Sequence, residues 1–138
     1  MKFTTASLLL PLVLATTIPA LADGAGADPL VGTNWRLTSV GSTPAVEGVK
    51  STLIVAGDGT VNGNGGCNGY GGSVKIDGDA LSFSQMRSTM MACAEKAMSQ
   101  EHALHGALEA TRSYRIEGQT LSLLDSSGAP VATFKAAQ

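Results

Sequence analysis

Between residues 35 and 134 the chain is divided into short runs in which apolar and polar residues alternate, separated by glycine, asparagine, aspartate, serine and proline. A period of two sends successive side chains to opposite faces of a strand, so each run can bury one face and leave the other in water. Residues 35–40 and 52–56 read this way, and Gly57, Asp58 and Gly59 supply a tight turn before a third run that starts at Thr60. Residues 74–76 and 80–83 flank Asp77, Gly78 and Asp79, where the Asp-Gly pair is a strong hairpin signal. Residues 113–116, 120–124 and 131–134 complete the set, linked by 117–119 and 126–130.

One segment breaks the strand pattern. Residues 94–112 contain no proline and a single glycine, and Leu104, Ala107, Leu108 and Thr111 fall at i, i+3, i+4 and i+7, the apolar stripe of a helix. Ser99 is the side-chain N-cap if the regular part begins late. The expected class is therefore α+β, mainly β. It is an antiparallel curved sheet or small barrel of about eight strands, with one helix at about 94–112 that plugs one end or packs on one face.

The amino terminus concerns destination rather than fold. Met1 and Lys2 give a short positive start, and residues 7–15 form an apolar core of signal-peptide length, too short to span a bilayer. Ala20 and Ala22 place small residues where a signal peptidase reads. The expectation is cleavage after Ala22, a flexible leader over residues 23–29 (DGAGADP), and one domain over residues 30–136, periplasmic or secreted. No cysteine follows the apolar core to be acylated, and no later apolar run approaches a membrane span, so no stable membrane anchor is expected. The 116 residues left after cleavage suit a single domain, expected to be monomeric. They carry eight basic and eleven acidic residues, a net charge of −3, which argues against a nucleic-acid partner.

Cys67 and Cys93 are the two cysteines. In an oxidising compartment an even pair in a small domain reads as a disulfide, closing a loop worth about 3.5 kcal/mol in the chain-entropy picture. Two buried free thiols would leave the same sequence. Cys67 lies within residues 62–72, where six of eleven residues are glycine. The stretch is no phosphate cradle: in Gly-x-Gly-x-x-Gly the third position falls on Asn68 or Val74, and no Lys-Ser or Lys-Thr follows. Glycines and asparagines tolerate positive φ, so a sharp bend or bulge that fixes Cys67 is the expected role.

Gly66-Cys67-Asn68, Tyr70-Gly71-Gly72, Leu81-Ser82-Phe83 and Ser88-Thr89-Met90-Met91-Ala92-Cys93, in this order, resemble the signature of the META/HslJ family. Trp35-Arg36-Leu37 upstream is similar to the opening of that domain. Glu101 and Leu108 of the helix, then residues 113–116 and 121–123, continue the match downstream. The likeness covers about residues 30–134. It implies a small β-rich domain, secreted or attached to the envelope, of a kind linked in some bacteria to heat shock or drug tolerance. It implies no catalytic activity, and a shape similar to lipid-binding secretion pilots. Many relatives are lipoproteins; this chain departs from them in lacking the lipidation cysteine.

A catalytic cysteine needs a base, and His102 and His105 are the only histidines. The same four residues, Cys67, Cys93, His102 and His105, could ligate zinc, but their spacing fits no familiar structural module, and exposed histidines are the simpler expectation. Met86, Met90, Met91 and Met98 suit copper(I) chemically; lacking a regular Met-x-x-Met, they read first as core filler or an apolar surface. Asp58, Asp77, Asp79 and Asp125 fall at turns, and no Gly-x-Ser-x-Gly occurs.

The sequence thus points to a non-enzymatic exported domain with no catalytic residues, no cofactor and no metal site. Its partner would be an envelope protein or a lipid. The expected contact surface is Asn68, Tyr70 and Met90. A chaperone-like stress protein without a fixed ligand, or a thiol-redox or metal-binding protein using Cys67 and Cys93, are the alternatives.

Overall fold

The computed structural model describes residues 29–137. The expected signal peptide, and all of the leader except Pro29, lie outside these residues.

The elements in chain order are β1 (Trp35–Val40), β2 (Thr43–Pro44), β3 (Thr52–Val55), β4 (Thr60–Asn64), β5 (Gly69–Asp77), β6 (Ala80–Ser88), α1 (Glu95–Ala110), β7 (Ser113–Glu117), β8 (Thr120–Leu124) and β9 (Pro130–Ala136). All strand pairs are antiparallel, and β1 also pairs with β9, which closes β1 and β3 to β9 into a ring. The fold is the expected mainly β ring with one helix. The ninth strand is β2, two residues that pair with Ser39 and Val40 at the end of β1, while β3 pairs with Trp35 and Arg36 at its start.

Alternation builds the core as the sequence dictates. Trp35 and Leu37, Leu53 and Val55, and Leu121 and Leu123 point inward two by two, joined by Val61, Leu81 and Phe134. Burying each such side chain contributes roughly 1.5–3 kcal/mol. The indole N–H of Trp35 donates to the Leu30 carbonyl at 3.1 Å, so the largest core residue leaves no polar atom stranded.

Helix α1 packs against β1, β6, β8 and β9 and sends Leu104 and Leu108 into the core. It starts at Glu95, so Ser99 lies inside it and is no N-cap. Ala94 occupies that position and makes no side-chain capping bond. The residues from Glu95 to Met98 are competent helix formers, with Glu95 favourably placed at the positive end of the helix dipole. At the other end Thr111 Oγ1 donates to the Ala107 carbonyl at 2.8 Å, and the Arg112 guanidinium donates to the carbonyls of Glu109 and Thr111 at 2.8 and 2.7 Å. Among the described residues no helix is long and apolar enough to cross a membrane.

The β5–β6 ladder carries a bulge whose extra residue lies in β6, away from Cys67. Pairing runs Gly71 to Arg87 and then Ser73 to Ser84, so Gly72 alone faces both Gln85 and Met86. Gln85 takes φ 52°, and a Cβ on Gly72 would sit 2.4 Å from the Met86 sulfur. Only glycine admits that approach.

Candidate functional site

Residues 89–94 connect the end of β6 to the start of α1 with no regular structure of their own. They carry Met90, 96% exposed, and Met91, 58% exposed, the large hydrophobic side chains that stand out on the surface of the described residues. A free loop of this kind would be mobile, yet this one is fastened along its length.

Asn68 fastens it from within. Its side-chain oxygen accepts from the Met91 backbone N–H at 2.7 Å and from the Thr89 hydroxyl at 2.9 Å. Its side-chain amide donates to the Met91 carbonyl at 3.3 Å and to Glu101 Oε2 at 2.7 Å. Its backbone N–H donates to Glu101 Oε1 at 2.5 Å, and its carbonyl accepts from the Gly65 N–H at 2.8 Å. Every donor and acceptor of Asn68 is thereby used, as a polar residue only 3% exposed requires. A further backbone bond, Thr89 N–H to the Gly69 carbonyl at 3.0 Å, ties the loop to β5.

Glu101 holds Asn68 in turn. Its Oε1 also accepts from the Cys67 N–H at 3.1 Å. Burial alone would push its carboxyl up, but the Asn68 side-chain amide, the backbone N–H groups of Asn68 and Cys67, and the nearby His105 together bring it below the usual glutamate range. The loop of residues 64–68 can approach the helix this closely because glycine flanks it: a Cβ on Gly65 would lie 2.6 Å from Glu101 Cγ. Gly66, at φ +133°, would meet the Ala97 carbonyl at 3.0 Å. Asn64 Oδ1 closes the bend by accepting from the Gly66 N–H at 2.8 Å.

The last fastening is covalent. Cys67 and Cys93 form a disulfide, Cα to Cα 5.9 Å, which ties the end of the methionine loop to the glycine bend. With both sulfurs so engaged, neither is free to form a Cys–His dyad or to join His102 and His105 around zinc. Among the described residues no three His, Cys, Asp or Glu side chains gather as metal ligands.

Of the three residues expected at a contact surface, Met90 is displayed and the other two are not. Residues 69–72, within the stretch expected to bend, extend β5 instead, and the pleat turns Tyr70 inward to 6% exposure. Its hydroxyl donates to the Thr52 carbonyl at 2.7 Å, across Gly63, its partner on β4. A Cβ on Gly63 would lie 2.1 Å from the Thr52 oxygen and 2.6 Å from the Tyr70 hydroxyl, so glycine makes the room. Burial pushes the Tyr70 phenol up, and its ring meets His105 edge to face at 5.4 Å. His102 is exposed, whereas His105 is half-buried with Nε2 lacking a partner.

A second feature lies on the other flank of the helix. Val40, Pro44, Ala45 and Val46 face Lys96, Gln100 and Ala103 across an apolar groove of about 440 Å³. Gln100 forms part of its wall: its Oε1 accepts from the Val46 N–H at 2.6 Å and its Nε2 donates to Ser51 Oγ at 2.8 Å. The roles of Gln100 and Glu101 were not read from the sequence. The available signal was their position, on the same helical stripe as Ala97, Leu104 and Leu108, where an unpartnered polar residue would be costly.

The META domain family model matches residues 28–138. Among solved structures, an NMR structure of a protein from Burkholderia xenovorans is similar at TM-score 0.62 and 25% identity, covering 88% of this chain and 99% of that one. A crystal structure of a DUF4847 family protein from Bacteroides vulgatus is similar at TM-score 0.59 and 15% identity, covering 78% and 94%. A further NMR structure gives TM-score 0.61 and 18% identity over 75% and 88%. No curated protein matches the chain at a significant level.

Proposed function

From the premise that the chain belongs to the META domain family, we propose that it is a non-enzymatic, exported envelope domain that works by contact, through the methionine loop. One observation carries this reading: Met90 is almost fully exposed on a segment whose backbone is held by Asn68, by β5 and by a disulfide. Methionine is adaptable at a contact, and a segment already fixed loses little conformational freedom when a partner lands on it. Asn68 then serves the surface from beneath it, and Tyr70 belongs to the core. The amino-terminal sequence supports export, and the family resemblance supports a role under envelope stress. The partner in this reading is an envelope protein.

The groove between β2 and α1 favours a second reading, in which an aliphatic chain of a lipid is the ligand. Its walls are largely apolar, and Lys96 lines it beside Glu95, so a head group there meets both charges.

A photoreactive amino acid placed at position 90, with the exposed Ser126 as control position, tests the first reading in producing cells. Defined cross-linked adducts from position 90 and none from 126 are expected; equal labelling from both, or none from either, overturns it. Native mass spectrometry of the same preparation reads the second, since a copurifying lipid appears as added mass. Amino-terminal sequencing reads export, with Asp23 as the expected first residue and retained Met1 as the contrary result.

A further inference from the structure

Spacing along the chain gives no Met-x-x-Met cluster, but folding sets Met98 of the helix on the same groove as the adjacent pair Met90 and Met91. Met90 and Met91 from the loop and Met98 from the first turns of α1 line one groove of about 300 Å³, with Asn68 and Glu101 in its walls. The loop is fastened at Met91 N–H and at Cys93, and Met98 rides on the helix that starts at Glu95, two residues after Cys93. Three thioether side chains therefore border one groove, carried on two anchored segments, with Met90 its most exposed member. The fourth methionine of the region, Met86, is spent elsewhere: its sulfur crowds Gly72, and it lines a separate groove with His105 and Glu109.

The chemistry of three neutral sulfur donors is selective. Thioethers are soft and uncharged, poor ligands for Zn²⁺, Mg²⁺ or Ca²⁺ and good ones for Cu(I) and its analogue Ag(I). Each methionine has three rotatable bonds, so the sulfurs can close on an ion without moving the backbone. The Glu101 carboxylate in the wall of the groove adds negative charge that suits a monovalent cation. We infer that Met90, Met91 and Met98 form a trigonal thioether site for a soft monovalent metal ion, Cu(I) or Ag(I).

This goes beyond the contact reading, and the two part company on one substitution. Leucine keeps the apolar surface and removes the sulfur. The full chain, with its disulfide intact, is titrated anaerobically with Cu(I) held by a competing chromophoric chelator, and separately with Ag(I). One ion per chain is expected, with affinity falling about tenfold or more in Met98→Leu and further in Met90→Leu/Met91→Leu/Met98→Leu. Met86→Leu is expected to bind as the wild type does. Wild-type binding no stronger than that of the triple leucine variant overturns the site, as does loss on Met86→Leu alone. Cross-linking from position 90 in the Met98→Leu background reads the contact function separately, so failure of one reading leaves the other standing.

Discussion

Asn68 and Glu101, 33 residues apart in sequence, meet through a 2.7 Å amide-to-carboxylate hydrogen bond inside the protein. The pair joins the glycine bend to the helix, and through the other side of the same amide it holds the backbone of Met91. An exposed apolar loop is thus given a fixed shape by a buried polar one.

Removing either partner leaves the other's polar atoms buried and unmet. Asn68→Ala and Glu101→Ala are each expected to lower stability by about 2–4 kcal/mol in urea unfolding. Because both break one network, the double variant should fall short of the sum by about 1 kcal/mol or more. Additive losses would separate the two residues.

Acid should find the same pair. The folded value of the Glu101 carboxyl is depressed below its ordinary 4.5, so the unfolded chain takes the proton first. The stability it contributes is fully present above pH 4.5 and is lost as pH falls through the lowered folded value. Asp58 and Asp125, lowered by bonds from Thr60 and Ser127 in their turns, also add acid sensitivity to the whole chain. The difference between wild type and Glu101→Gln isolates Glu101: it should be constant from neutral pH down to about 5 and shrink below 4.5. A difference independent of pH would contradict the assignment.

The covalent tie makes a non-additive prediction of its own. Cys67→Ser and Cys93→Ser should each cost about 3 kcal/mol, and the double variant little more, because the cross-link goes with the first substitution. Calorimetry or thermal melts of the three variants check this. Thiol titration of the unreduced, denatured wild type should find no free cysteine.

Two glycines separate close approach from mere absence of a side chain. Gly63→Ala drives a Cβ to 2.1 Å from the Thr52 oxygen and should unseat Tyr70, at a cost of about 3 kcal/mol or more. Gly106 lies mid-helix with nothing within 4 Å of a Cβ, so Gly106→Ala should stabilise by about 0.5–1 kcal/mol. Melting temperatures shifted in opposite directions are the expected result.

Much of this could be read before folding. The period of two placed the strands around the core, the Asp77-Gly78 turn marked the β5–β6 hairpin, and the Leu104–Leu108 stripe marked the helix. What escaped was carried by long-range contacts. Gly69 to Gly72 fall in the stretch expected to bend because glycine weakens a strand locally, yet pairing with β4 and β6 outweighs that preference. Ser99 read as a cap because a hydroxyl before a periodic run signals a start, but the helix begins earlier, just after Cys93. Asn68 looked like a surface residue since asparagine usually is one. Only the arrival of Glu101 and Met91 from distant parts of the chain makes its burial tolerable. That Met90, Met91 and Met98 border one groove was equally invisible, being a property of the fold and not of spacing.

The central claim is that the methionine loop faces outward for contact and does not hold the fold together. The most direct measurement is the variant Met90→Ser/Met91→Ser, followed by thermal melting and by cross-linking at the adjacent exposed position 92. The account predicts a melting temperature within about 2 °C of wild type, since surface changes alter stability by less than about 0.5 kcal/mol, together with loss of the cross-linked adducts. A melting temperature lower by about 10 °C with the adducts intact would contradict it, and would make the two methionines part of the protein's packing.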